Sequence, residues 1–373
     1  MKKTPIIPVN APLLSAHAKT YVDDCLRTGW ISSAGPYIGR FETEFAKFIG
    51  VKHAVTVTNG TAALHLALAA LDIGPGDEVI VPDLTIISCA DAVVYTGATP
   101  VFADVEKTTG TLDPDCVEQR ITKRTKAIMV VHLYGHPADM DPIMDIARKH
   151  TIAVIEDAAE AHGSRYKNRV VGGIGNIGCF SFYANKIVTS GEGGMVVTSN
   201  DRIAKRLRLL KDLAHAPTRR FWHEDIGFNY RMTNMQAALG LAQLEQAQKY
   251  IAKKRWMAGL YGRLLADIPA LELPAEKPWA KSVYWMYAVS VKRGYTYSRD
   301  QVRARLLNFG VDTRDFFIPL HSQPVLRKMG LGKIGAFPVS SDLSRRGFYI
   351  PSGLAITEKQ IRFVSRAMHE VLI

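Results

Sequence analysis

Only four cysteines, Cys25, Cys89, Cys116 and Cys179, occur in 373 residues, and none forms a CxxC pair or a metal-ligand spacing. Their scarcity and scatter exclude a disulfide scaffold and a zinc module, and they fit free thiols in a reducing cytoplasm. No metal site is expected. No apolar run approaches the ~20 residues that a membrane-spanning helix needs. The start Met1-Lys2-Lys3 with Ile6-Ile7 has the outline of a leader peptide, but Pro5, Pro8, Asn10 and Pro12 interrupt its apolar part. Internal repeats and low-complexity tracts are absent as well. Acidic residues are the scarcer charge, 35 against 47 Lys and Arg, leaving a net +12. Such an excess suits either a nucleic acid or an anionic small molecule. The basic residues are spread along helical segments such as 202–211 and 249–255, with no aromatic-interleaved patch. No nucleic-acid partner is therefore expected; solvated helix faces and an anionic substrate both remain open.

What is present is the composition of an ordinary globular chain, 47% hydrophobic and 22% charged, long enough to split into two lobes. Short β-branched runs at 54–57, 78–81, 100–102, 126–131 and 152–155 alternate with helical stretches at 61–71, 88–95 and 141–149. Runs apolar on both faces and separated by helices predict a mostly parallel sheet covered on both sides. Two further strands, 179–182 and 195–198, flank a glycine-rich link. One long helical stretch follows over 236–264. After Pro269 and Pro274 come a strand at 283–291, a helix at 299–309 and a tail ending in a helix at 358–371. The expected architecture is α/β. A large domain spans 1–245, with its N-terminal segment able to pack on the small one. The connecting helix and a small α+β domain span 246–373.

Open α/β sheets bind ligands at the carboxyl ends of their strands, and three features fall there. Asn59-Gly60-Thr61 links a strand to a helix, where backbone N–H groups, the helix dipole and a hydroxyl can receive a phosphate. Asp157 follows the strand 152–156 and could pair with a cationic heteroaromatic nitrogen. Lys186 lies beyond the apolar strand that ends near Ser181; a lysine of pKa ~10.4 is a poor nucleophile unless desolvated or converted to an imine. Taken singly these are a turn, a helix N-cap and a surface lysine. Their order, phosphate turn then acid then lysine, fits a pyridoxal 5′-phosphate site.

The motifs themselves resemble a known family. Glu156-Asp157-Ala158-Ala159-Glu160-Ala161-His162-Gly163, Phe180-Ser181-Phe182 leading to Lys186, and Gly191-Glu192-Gly193-Gly194 are similar to the DegT/DnrJ/EryC1/StrS sugar aminotransferases. Gly227-Phe228-Asn229-Tyr230-Arg231-Met232-Thr233-Asn234 and Gly74-Pro75-Gly76-Asp77 extend the likeness, which runs from about Trp30 to the C-terminus. It implies the aspartate aminotransferase-like fold type I and pyridoxal 5′-phosphate as cofactor, passing through pyridoxamine 5′-phosphate. It implies a Schiff base at Lys186, which also shuttles protons. Asp157 would face the pyridinium nitrogen and Glu160 the ring hydroxyl. Gly60, Thr61 and Ser181 would hold the phosphate, and Asn59 and Ala159 complete the cofactor shell. Asn229 would reach the phosphate from a partner subunit, which implies a homodimer with shared active sites.

Within the family, Trp30-Ile31-Ser32-Ser33, Asn185-Lys186-Ile187, Trp285-Met286-Tyr287 and Glu160 resemble the members that aminate GDP-4-keto-6-deoxy-D-mannose with L-glutamate. dTDP- or UDP-keto-sugars and a non-catalytic regulatory role are the alternatives. Related dehydratases carry histidine in place of the lysine, so Lys186 implies transamination. Two positions depart from the pattern. Ile86 stands where relatives carry an aromatic stacked on the cofactor, giving up roughly 0.5–1.5 kcal/mol. Asp315 stands where relatives carry proline after Arg314. Trp30, Arg231 and His321 are candidate substrate contacts, whereas His162 reads as a packing residue.

Overall fold

A computed structural model describes residues 6–216, 218–332 and 336–373. The leader-like start therefore lies largely outside the described residues. Seven strands form the main sheet: β1 (His53–Val57), β2 (Glu78–Pro82), β3 (Thr99–Ala103), β4 (Thr125–Val131), β5 (Ala153–Asp157), β6 (Ile177–Ser181) and β7 (Gly194–Thr198). Their order is β1-β7-β6-β5-β4-β2-β3. The pairs from β3 to β6 are parallel, and β7 runs antiparallel to both β6 and β1. β1 therefore points the same way as the parallel strands, so its exit turn shares their carboxyl edge.

The strands are apolar on both faces because each face has its own core. Val79, Val81, Met129 and Ile155 point into one, packed by the helices Gly60–Ala70 and Ser88–Tyr95. Ile80, Ile128, Val130 and Val154 point into the other, beneath the helices Pro36–Ile49, Met140–His150 and Asn234–Leu244. Such double coverage is why these segments read as continuous hydrophobic runs instead of alternating ones.

A second sheet of four antiparallel strands, β8 (Leu271–Glu272), β9 (Tyr287–Val291), β10 (Arg314–Asp315) and β11 (Gly347–Ile350), is ordered β8-β9-β11-β10. Helices Ala247–Leu265, Arg299–Asn308 and Glu358–Leu372 cover it around Tyr261, Phe348 and Val364.

Two expected elements differ. The stretch 236–264 is two helices, Asn234–Leu244 and Ala247–Leu265, not one. No proline or glycine marks the break; it falls where His17 and Tyr21 hold the Glu245 carboxylate at 2.9 Å. The strand expected over 283–291 begins only at Tyr287, because Tyr284 takes the left-handed conformation with φ 48°. Residues 283–286 consequently leave the ladder.

Candidate active site

Lys186 sits in a tight turn after β6. Its N–H donates to the Tyr183 carbonyl at 2.9 Å, while Phe182 N–H and Ser190 N–H close the loop onto Gly193 and Phe182. The side chain is one-tenth exposed, with Nζ 3.8 Å from Glu160 Oε1 and 3.9 Å from the centroid of the Trp285 ring. Burial lowers the Lys186 pKa, against the pull of Glu160 and Asp157. Burial raises Glu160 to about 7, even though Lys186 and a 2.7 Å bond from Tyr134 N–H oppose it. Both partners are thus pushed toward their neutral forms. A lysine pushed in that direction is the better nucleophile and proton carrier.

Asp157 closes β5 and is 4% exposed. Its Oδ1 accepts from Ala159 N–H at 3.0 Å and its Oδ2 from the Cys89 thiol at 3.2 Å. Burial holds the Cys89 pKa well above the ordinary thiol value, so the sulfur keeps the proton it donates. At the other end of the cavity, Asn59 caps the helix Gly60–Ala70 by accepting from Ala62 N–H at 2.8 Å. The N–H groups of Gly60 and Thr61 precede any intrahelical acceptor and face outward with the positive end of the dipole. The Thr61 hydroxyl donates to Ser88 Oγ at 3.0 Å. A Cβ at position 60 would lie 2.8 Å from Ser181 Cβ, so glycine is what lets the helix start approach the end of β6.

One cavity of about 350 Å³ joins these groups. Asn59, Gly60, Thr61, Ile86, Asp157, Ala159, Glu160, Ser181 and Lys186 all line it. Of the expected cofactor residues, Asn229 alone does not. The donor set fits pyridoxal 5′-phosphate: a helix start with two hydroxyls for the phosphate, a carboxylate for the ring nitrogen and an amine for the aldehyde.

Asn229 lies elsewhere on the surface, its Oδ1 accepting from Arg231 Nε at 3.0 Å, and Arg231 also pairs with Asp212 at 3.0 Å. Trp30 is half exposed, and its carbonyl accepts from Asn234 at 2.7 Å. His321 stacks on Phe337 and is bound by its ring and its N–H to buried Asp83, at 2.7 and 2.8 Å. None of these lines the Lys186 cavity. Asp315 is taken up by Arg303 on the helix Arg299–Asn308. His162 is fully buried among Phe45, Phe180 and Phe182 with no well-formed hydrogen bond, the Ser181 backbone being at most a weak partner. Burial drives its pKa to about 3, so the ring is neutral.

Sequence reasoning missed the aromatic wall. Trp285, Phe317 and Tyr349 reach the cavity from the second sheet and its loops, together with Ser88 and Asn185. Tyr134 backs them, stacked on Phe317. The Trp285-Met286-Tyr287 triplet was visible as a likeness, but neither periodicity nor spacing assigns its side chains to a site.

Residues 12–369 match the DegT/DnrJ/EryC1/StrS aminotransferase family. The chain is 44% identical to a GDP-perosamine synthase of Caulobacter vibrioides, over 100% of both chains. It is 44% identical to one of Escherichia coli O157:H7, over 98% of each chain. Among solved structures it is similar to S. venezuelae DesV in complex with a ketimine intermediate (TM-score 0.92, 36% identity, 98% of each chain). An aminotransferase from Psychrobacter cryohalolentis gives the same values.

Proposed function

This chain belongs to the DegT/DnrJ/EryC1/StrS aminotransferase family, whose members depend on pyridoxal 5′-phosphate, and from that premise we propose a specific reaction for it. The amino group of L-glutamate is transferred to the 4-keto carbon of GDP-4-keto-6-deoxy-D-mannose, giving GDP-perosamine. The observation that carries the chemistry is Lys186, buried between Glu160 and the Trp285 ring at one end of a cavity whose other end is an anion site. The likeness to the two GDP-perosamine synthases supports the substrate.

When bound, the cofactor supplies an electron sink for the carbanion that each half of the reaction generates. The protein's residues do the rest. Gly60, Thr61 and Ser181 would hold its phosphate, and Asp157, fixed by Cys89 and Ala159 N–H, would pair with its ring nitrogen. Lys186 Nζ takes the proton from Cα of glutamate in the first half and delivers one to C4 of the sugar in the second. Glu160, with a pKa of about 7, accepts or returns a proton beside it as that charge changes. A second cavity of about 390 Å³ adjoins the first through Tyr183, Asn185 and Tyr349 and is bordered by Arg314. It offers room for the nucleotide end of a substrate.

The protomer works as half of a homodimer in which Asn229 of each chain completes the phosphate site of the other. Two features support this assembly: Asn229 does not line the cavity of its own chain, and the apolar side chains of Ile31, Trp222 and Ile226 are exposed. A cytoplasmic location fits the free cysteines, and among the described residues no helix is long and apolar enough to cross a membrane.

The test is incubation of purified protein with glutamate and, in turn, the GDP-, dTDP- and UDP-linked 4-keto sugars. Turnover is expected with the GDP sugar. Turnover of a dTDP or UDP sugar alone would remove the GDP assignment. A visible cofactor band that glutamate leaves unchanged would instead indicate a regulatory protein.

A further inference from the structure

Lys254 is a buried cation that the reaction above leaves unused. It lies on the helix Ala247–Leu265 and is 2% exposed. Its Nζ donates to the Trp285 carbonyl at 2.6 Å and to the Ser352 carbonyl. Burying an ammonium away from any carboxylate is costly, so the position calls for a reason. Two carbonyl acceptors suit a charged donor.

That reason lies one residue further on. Residues 283–286 have left the β9 ladder, so Trp285 lacks the strand bonds that would otherwise fix it. Its anchors are the Lys254 ammonium on its carbonyl and a 2.9 Å bond from its indole N–H to the carbonyl of Asn185, the neighbour of Lys186. Held in this way, the indole presents its face to Lys186 Nζ at 3.9 Å. An aromatic face at that distance stabilises a cationic nitrogen.

We propose that Lys254 is a positioning residue for amine transfer: its ammonium fixes the Trp285 backbone so that the indole face lies against the nitrogen of Lys186. The proposal rests on the reading of Lys186 as the cofactor lysine. The other groups that face this nitrogen are Glu160 and Asp157, whose charges also favour its cationic form, and neutral His162. Burial draws the Lys254 pKa down to about 7, within reach of losing the anchor's charge. Arginine at this position would keep both charge and donors at any working pH.

The experiment measures the pH midpoint at which the visible band of the cofactor-loaded protein changes, in wild type, K254M, K254R, W285L and the double variant K254M/W285L. K254M is expected to lower the midpoint by roughly half to one pH unit, the size of a cation–π contribution. K254R should restore it. W285L should reproduce the K254M shift, and the double variant should shift no further than W285L. In the glutamate half-reaction, K254M should lose kcat while KM holds. Three results overturn the proposal: a K254M midpoint at the wild-type value while W285L moves it, additive shifts in the double variant, or K254R displaced as far as W285L. The last of these decides the matter even where K254M does not fold. A wild-type protein that shows no visible band would overturn the cofactor reading as well, which separates that failure from failure of the Lys254 proposal alone.

Discussion

Replacing Glu160 with glutamine isolates the electrostatic control of Lys186. The substitution keeps the shape of the side chain and leaves an amide oxygen to accept from Tyr134 N–H, now 2.7 Å from the carboxylate. It removes the negative charge 3.8 Å from Nζ. An ion pair at that separation is worth about 4 kcal/mol at an effective dielectric near 20, equivalent to about three pH units. Glu160, with a pKa of about 7, carries only part of its charge at neutral pH. The effect realised there is therefore smaller, roughly one to two pH units. Its sign is fixed: the anion raises the Lys186 pKa, so its loss leaves burial less opposed and lowers that pKa. The assay is the rate at which cofactor-free protein captures pyridoxal 5′-phosphate, followed by visible absorbance across pH. Capture requires the neutral amine, so the rate rises with pH and levels off above the Lys186 pKa. E160Q should move that rise to lower pH and speed capture at pH 7. A curve that coincides with wild type would show that Glu160 does not govern the lysine, and the account of the pair would fall.

Three further perturbations probe other parts of the site. Gly60→Ala drives a methyl against Ser181, 2.8 Å away in the present backbone, and should weaken pyridoxal 5′-phosphate binding roughly tenfold or more while the alanine-tolerant helix folds; a titration showing unaltered affinity would refute the close-approach argument. If Asn229 serves the partner's site, mixing Lys186→Ala chains with Asn229→Asp chains should recover about a quarter of wild-type activity, because half the dimers gain one intact site; no recovery after verified subunit exchange would argue for sites built within one chain. His162 has its pKa depressed to about 3 from 6.5, so the stability it contributes is complete above 6.5 and lost as pH falls toward 3. His162→Leu should accordingly lose less of its urea midpoint between pH 7 and 4 than wild type does, and equal losses would mean that the ring is not a buried neutral group.

The site was legible in the sequence wherever it is built from residues that directly follow strands. Asn59-Gly60-Thr61 leaves β1, Asp157 closes β5, and Lys186 follows β6, so knowing the strands places all three on one edge. The strands in turn were legible because both faces of the sheet are buried, which writes unbroken apolar runs into the chain. Asn229 shows the limit of motif transfer: the likeness names the residue, yet within the chain it pairs with Arg231 and does not line the Lys186 cavity. The helix break at Glu245–Gln246 was hidden for a different reason, since no local breaker accompanies it and the partners of Glu245 come from the helix Ala16–Thr28.

The aromatic wall was illegible for a physical reason that also bears on how the enzyme is assembled. Trp285, Phe317 and Tyr349 belong to the second sheet and its connections, whereas Lys186 and Asp157 belong to the first. Their meeting depends on how the two sheets dock, and short-range pattern carries no information about docking. What secures it is a small set of polar ties between sequence-distant segments. Asn10 Nδ2 donates to the Asn185 carbonyl at 3.2 Å, Ser352 N–H donates to the Val9 carbonyl at 2.9 Å, and Ile7 bridges Val311. Asn10, Lys254 and the indole N–H of Trp285 donate to the carbonyls of Asn185, Trp285 and Ser352. The lysine turn is thus tied to both the N-terminal segment and the second sheet. Shortening the chain before Pro12 would remove the three ties made by Ile7, Val9 and Asn10 and leave every residue lining the Lys186 cavity in place. The geometry therefore requires such a truncation to impair the lysine turn without altering the phosphate end, so that pyridoxal 5′-phosphate affinity outlasts turnover.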